Sequence, residues 1–293
     1  MEAECCHIGW NRIQLNHPAD WQPRVTGLYS LAFESHFQPQ FQVRWQYGSC
    51  VGQQETLSRI FAGLMPVDMT ADIGPHWREL ALQFPGLSLL ADEDDIISGG
   101  YFSDGLNQIT VLFQTLSQTE ASLQTTVSVL CSLAVVSRTA PIPWEFDSYC
   151  FSSPSGMELL SYRFDPGRTL MVFGDKQETI EICMLTAARQ RLKNNSLSAI
   201  LQTLTGLGNN IYQKSPQLCE QNSTPSTLRR WLLHFKRKQP FVRCVRYHDR
   251  IRDQLYCVQS RSRRYVSRQD FLQTNYLHGI LPQETEHAAT NTG

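Results

Sequence analysis

Apolar residues recur at every second position in two places along the chain. Phe41, Val43 and Trp45 alternate with Gln40, Gln42 and Arg44, and Ile180, Ile182 and Met184 alternate with Thr179, Glu181 and Cys183. A period of two predicts a β-strand with one buried face and one wet face. An apolar strand precedes each of these segments, and helical spacing follows each. Leu57, Ile60, Phe61 and Leu64 share one face of a helix predicted over 53–64. Leu192, Leu197, Ile200, Leu201 and Leu204 do the same within 186–204, with a break at Asn194-Asn195. Further on, YFSDGLNQITVLFQ (101–114) and YHDRIRDQLYCVQS (247–260) each read as a strand, a turn around an Asp, and a second strand. Helical stretches follow at 123–136 and at roughly 268–277.

The same order of elements therefore recurs. Residues 13–45 match 149–185, with Leu15 and Phe151 three residues before Pro18 and Pro154, and Trp21 and Met157 three after. Residues 101–114 match 247–260 at a constant offset of 146, which pairs Tyr101 with Tyr247, Gln108 with Gln254, Ile109 with Leu255 and Val111 with Cys257. The predicted fold class is α+β, with two related modules, each an antiparallel sheet with helices packed on it. The first module is predicted over 1–140 and the second over 141–293. Their boundary falls at Thr139–Pro143, where two prolines one residue apart impose an extended connector. Residues 206–227, rich in Gly, Asn, Gln, Ser and Pro, read as an exposed loop, and the polar tail after Pro282 as frayed. The segments HPADW (17–21) and SPSGM (153–157), with the hairpin–helix ending of each half, resemble the PsbP/DcrB-like fold. The resemblance covers most of the chain, twice. It implies an α+β fold and a role as an assembly factor, adaptor or accessory subunit, and no functional residue carries over from it.

Composition adds limits. The chain has 293 residues, 41% hydrophobic and 18% charged, enough apolar material for packed cores. Met1–Trp10 lacks the basic and apolar regions of a secretory signal. No window approaches the roughly 18 uninterrupted apolar residues of a membrane span. The nine cysteines are odd in number and irregular in spacing. Several lie in apolar runs, so they read as packing thiols in a reduced, cytoplasmic compartment.

Net charge is −1, but its distribution is uneven. From Arg229 to Arg268 thirteen Lys or Arg face only Asp249 and Asp253, a net of +11. The 228 residues before carry thirteen basic and twenty-two acidic side chains, a net of −9. The candidate binding residues are Arg229, Arg230, Lys236, Arg237, Lys238, Arg243, Arg246, Arg261, Arg263 and Arg264, interleaved with Trp231, Phe235, Phe241, Tyr247, Tyr256 and Tyr265. Positive charge with stacking rings suits nucleic acid. It equally suits an acidic protein partner. Basic–apolar alternation in CVRYHDRIRDQLYC (244–257) also fits an ordinary solvated strand face.

Other candidates are weaker. Asp92–Asp95 reads as a solvated turn, because four consecutive acids point in different directions and lack calcium-loop spacing. Cys244, His248 and Cys257 are zinc-type ligands without a paired C-x2-C knuckle. Gly206-Leu207-Gly208 reads as a helix stop. The six Trp residues read as core anchors, whereas a Trp on the surface would mark an interface. No G-x-S-x-G, H-E-x-x-H or Walker-type loop occurs. The expectation is a non-enzymatic protein-interaction component (adaptor, chaperone or accessory subunit), with no cofactor and no metal. The alternative is a nucleic-acid-binding component acting through 229–268.

Overall fold

The computed structural model describes residues 5–48, 61–70, 72–117, 119–137, 139–146, 149–153, 156–205, 211–215, 218–235 and 239–265. The chain divides into two compact units, Met1–Tyr149 and Cys150–Gly293. The α+β expectation is corrected. Among the described residues the chain is mostly β, 52% strand against 18% helix, and three antiparallel sheets carry it. The helices are short and few of their residues build the cores.

In unit 1 the strands are β1 (Cys5–Trp10), β2 (Ile13–Pro18), β3 (Trp21–Gly27), β4 (Ser30–Ser35), β5 (Gln38–Tyr47), β6 (Met65–Pro66), β7 (Ser88–Ala91), β8 (Ile97–Asp104), β9 (Ile109–Thr115), β10 (Ala134–Val135) and β11 (Ile142–Phe146). Helix α1 (Pro75–Gln83) precedes β7, and α2 (Glu120–Cys131) follows β9. The main sheet has the order β3-β4-β5-β9-β8-β7-β6. The alternation predicted around Phe41, Val43 and Trp45 places all three in the core, on β5. Residues 109–113 are buried at every position, because β9 lies inside the sheet with both faces covered. Trp77 of α1 stacks on Phe113 at 6.1 Å and 15°. Gly100 on β8 makes room for that ring, since a Cβ there would meet Phe113 Cζ at 2.7 Å.

The smaller sheet of unit 1 is built on β1 and β11, which pair antiparallel with Gly9 opposite Glu145. Asn11 and Arg12, both with positive φ, form the tight two-residue turn between β1 and β2 that right-twisted strands favour. The ring of Trp10 meets Trp144 edge-on at 5.1 Å and Phe146 at 5.4 Å, and its Nε1–H donates to the carbonyl of Gly27. The predicted connector at 139–143 therefore runs directly into a strand.

Strand β12 (Tyr149–Ser153) starts at the last residue of unit 1, and the further strands of unit 2 are β13 (Glu158–Asp165), β14 (Arg168–Gly174), β15 (Glu178–Thr186), β16 (Ile211–Ser215), β17 (Leu218–Ser223), β18 (Phe241–Asp249) and β19 (Gln254–Ser262). Helices α3 (Ala188–Asn194) and α4 (Leu197–Thr205) follow β15, and α5 (Thr227–Phe235) lies between β17 and β18. The sheet order is β13-β14-β15-β19-β18-β17-β16, the order of the main sheet of unit 1 strand for strand. Two strands, β16 and β17, occupy the stretch 206–227 read as a loop. The Glu-Gln-Asn polarity of β17 hid a strand whose pairing to β18 supplies its stability. The predicted wet face of β15 is also corrected. Cys183 and Leu185 are buried as well as Ile180, Ile182 and Met184, because Ala188 and Leu197, with Leu192, Ile200 and Leu204, pack over that face.

The two Asp hairpins are built alike. Asp104 Oδ1 accepts from the backbone N–H of Leu106 and Asn107, and Gln108 has φ 51°. Asp249 Oδ1 accepts from the N–H of Ile251 and Arg252, and Asp253 has φ 55°. These carboxylates fold the chain back by satisfying turn amides. Their spacing, Asp104 to Asp249, gives an offset of 145 and corrects the offset of 146 read from sequence. A slip of one residue exchanges the faces of a strand, so Leu112 rather than Val111 corresponds to Cys257. The helices predicted at 53–64 and 268–277 fall largely or wholly outside the described residues, while that predicted at 123–136 is α2, ending at Cys131.

At Gly9 a Cβ would lie 3.0 Å from the Pro143 carbonyl oxygen and 3.3 Å from the Glu145 nitrogen. Gly9→Val is expected to lower stability by about 1–3 kcal/mol through this overpacking, measured by urea unfolding of the full chain.

Candidate functional site

The basic segment was the foremost candidate, and the strands sort it by side-chain alternation. Arg229 and Arg230 lie on α5, and Arg230 is exposed. Lys236, Arg237 and Lys238 lie outside the described residues. Arg243 and Arg246 are three apart on β18 and so project from opposite faces. Arg243 is half-buried, with Nη2 donating to the Tyr265 hydroxyl at 3.5 Å and the guanidinium carbon 6.0 Å from that ring. Arg246 is 2% exposed and is among the largest fully buried side chains. Arg261, Arg263 and Arg264 are exposed and close together at the end of β19, where the Arg263 N–H donates to Gln177 O. Arg250 and Arg252 sit at the opposite end, on the β18–β19 turn, where Arg252 is 3.7 Å from Asp249. The charge is therefore distributed over two faces and two ends of the hairpin, with one arginine in the interior.

Around Arg246 the interior is rich in thiols. Cys257 lies directly opposite it across β18–β19, and Cys183 directly opposite Cys257 across β15–β19. Cys244 Sγ is 3.6 Å from Cys257 Sγ, and Arg246 Nη2 lies 3.7 Å from Cys244 Sγ. Burial pushes the Cys183 thiol up to about 11. Cys257 titrates well above the usual thiol range because of its hydrogen bond with Cys244 and its burial. That hydrogen bond, with the positive charge of Arg246, lowers Cys244. His248, the third zinc-type ligand named from sequence, is buried further along β18, and its pKa is lowered first by burial. No group of three His, Cys, Asp or Glu among the described residues is placed to hold a metal ion.

Of the other sequence candidates, Gly206-Leu207-Gly208 lies outside the described residues and Asp92–Asp95 is a turn. Asp92 Oδ1 accepts from the N–H of Asp94 and Ile96, and Asp95 has φ 63°, so Asp92–Asp95 is a tight turn before β8. A groove of about 540 Å³ in unit 1 lies between Phe84, stacked on Phe102 at 4.0 Å, and the side chains of Leu106, Leu133 and Val135.

The residue that sequence reasoning placed wrongly is Trp231. Trp10, Trp21, Trp45, Trp77 and Trp144 are all buried, as expected of core anchors. Trp231 is 65% exposed, and Leu228, one helical turn before it on α5, is 71% exposed. The spacing of Leu228 and Trp231 around Arg229-Arg230 was visible in the sequence as an amphipathic signal. No family model, curated protein or solved structure matches the chain.

The sorting of the arginines has a thermodynamic consequence. Arg246→Ala is expected to cost about 2–4 kcal/mol by emptying an interior site, whereas Arg263→Ala and Arg264→Ala stay within about 0.5 kcal/mol, compared by chemical unfolding.

Proposed function

We propose that the chain is a non-enzymatic protein-interaction component, an adaptor or accessory subunit of a larger assembly, docking through α5. The observation that carries this reading is the exposure of Trp231 beside Leu228, in a chain that buries its five other tryptophans. Large aromatics are enriched at interface centres because covering them with a partner releases the free energy that their exposure to water costs. Arg230 lies beside the pair, and Arg261, Arg263 and Arg264 add positive charge to unit 2. Such a surface suits an acidic protein whose docking site offers apolar contact to Trp231. The shared strand order and the twin Asp hairpins support an origin by internal duplication. After it, the second unit took on the exposed aromatic and the basic charge while the first stayed acidic.

Quantitative affinity capture with the full chain tests this. Wild type is compared with the Leu228→Ala/Trp231→Ala double variant and with Arg230→Glu. The double variant is expected to deplete acidic partner proteins more than tenfold, as loss of roughly 2 kcal/mol of hot-spot contact requires. Arg230→Glu is expected to give a smaller loss that shrinks as salt is raised. A captured set indifferent to the double variant, or capture of RNA that survives it and falls steeply with salt, contradicts the reading.

A further inference from the structure

We infer that Cys244 and Cys257 form an oxidisable thiol pair, modified by hydroperoxides to a reversible disulfide between β18 and β19. Four features of the geometry support it. The two sulfurs are already in contact at 3.6 Å. Arg246 Nη2 lies 3.7 Å from Cys244 Sγ and stabilises an anion on that sulfur rather than on its neighbour. Either thiol can donate across the contact, and the cation beside Cys244 favours Cys257 as the donor, so one sulfur is set as nucleophile and the other as resolving thiol. The third buried thiol, Cys183, faces Cys257 across the strand pair and is held protonated by burial.

The chemistry balances with the peroxide as sole oxidant. The Cys244 thiolate attacks one oxygen of the hydroperoxide. An S–O bond forms, the O–O bond breaks, and the other oxygen leaves as alkoxide or hydroxide and takes up a proton. The sulfur becomes a sulfenic acid and the peroxide is reduced. Cys257 then gives up its proton, and its sulfur attacks the sulfenic sulfur. The S–S bond forms, the S–O bond breaks, and the hydroxide leaves as water.

The register determines the character of the product. Cys244 is opposite Gln259 and Cys257 is opposite Arg246, so the thiols meet on the diagonal of the strand pair. Closing from contact to a bond of about 2.05 Å draws β18 along β19, and a bond made against the register is readily reduced. Both sulfurs are buried, at 1% and 6% exposure, so oxidation waits on local opening and runs more slowly than at the exposed Cys5, Cys6 and Cys150.

The experiment treats the native full chain with hydrogen peroxide, blocks remaining thiols, and maps tryptic peptides without reduction. Cleavage after Arg243, Arg246, Arg252 and Arg261 isolates Cys244–Arg246 and Asp253–Arg261. The expected product is these two fragments joined with loss of two hydrogens and separated again by dithiothreitol. In Cys257→Ser, Cys244 is expected to stop at a sulfenic acid trapped by dimedone, and in Cys244→Ser, Cys257 is expected to remain a thiol. Arg246→Lys, which keeps a cation near the sulfur, is expected to retain the linkage. The inference is overturned if Cys244 and Cys257 stay reduced while exposed cysteines oxidise, if Cys257 is the one trapped, or if the linkage forms only in denaturant. None of these outcomes depends on α5, so a failure here leaves the docking reading standing.

Discussion

The antiparallel seam between β15 and β19, and its counterpart between β5 and β9, is the constraint on which each unit depends. Every other pairing within the two seven-stranded sheets joins strands adjacent in sequence, most of them through short turns, with α1 between β6 and β7 and α5 between β17 and β18. The seam instead joins Glu178–Thr186 to Gln254–Ser262, and Phe41–Tyr47 to Ile109–Thr115, across intervening helices and strands. Its closure carries the loop entropy of the fold, and it is justified only if both faces match. In unit 2 they do: Ile182 meets Val258 on one face and Cys183 meets Cys257 on the other. A shift of one residue would bring Glu181 among the isoleucines of the first face.

That seam explains why the most basic stretch of the chain is not one basic surface. It makes β19 the central strand and β18 its neighbour, both enclosed by further strands. Side chains on β18 must then leave the sheet by alternate faces, and Arg246 has no route to water. Its cationic head sits among sulfurs instead, which biases one thiol of an otherwise inert set. Among the described residues, charge reaches the surface where the strands end, at Arg261, Arg263 and Arg264 and at Arg250 and Arg252 on the turn, and on α5.

What was legible in the sequence was local. Alternation marked β5 and one face of β15, and the Asp turns marked both hairpins, because each pattern is set by residues a few positions apart. The offset between the hairpins was read one residue too long, since Tyr101 and Tyr247 look equivalent while the turn carboxylates Asp104 and Asp249 fix the true register. The fold class was misread for a physical reason. Helical spacing over a dozen residues stands out in a sequence, whereas β17 is polar and owes its conformation to pairing with β18. Trp231 was grouped with five core tryptophans because a ring type alone does not report burial. The arginine pair within its helical turn was the missing clue.

The central claim is that the working surface of unit 2 is the exposed face of α5 and not the arginine-rich strands. Hydroxyl-radical footprinting of the full chain, alone and within its assembly, tests this most directly. The account predicts that in the isolated chain Trp231 is oxidised much faster than the other five tryptophans, and that assembly protects Trp231 and Leu228 together. Protection confined to Arg261, Arg263 and Arg264, or a Trp231 that oxidises equally fast in both states, would contradict it.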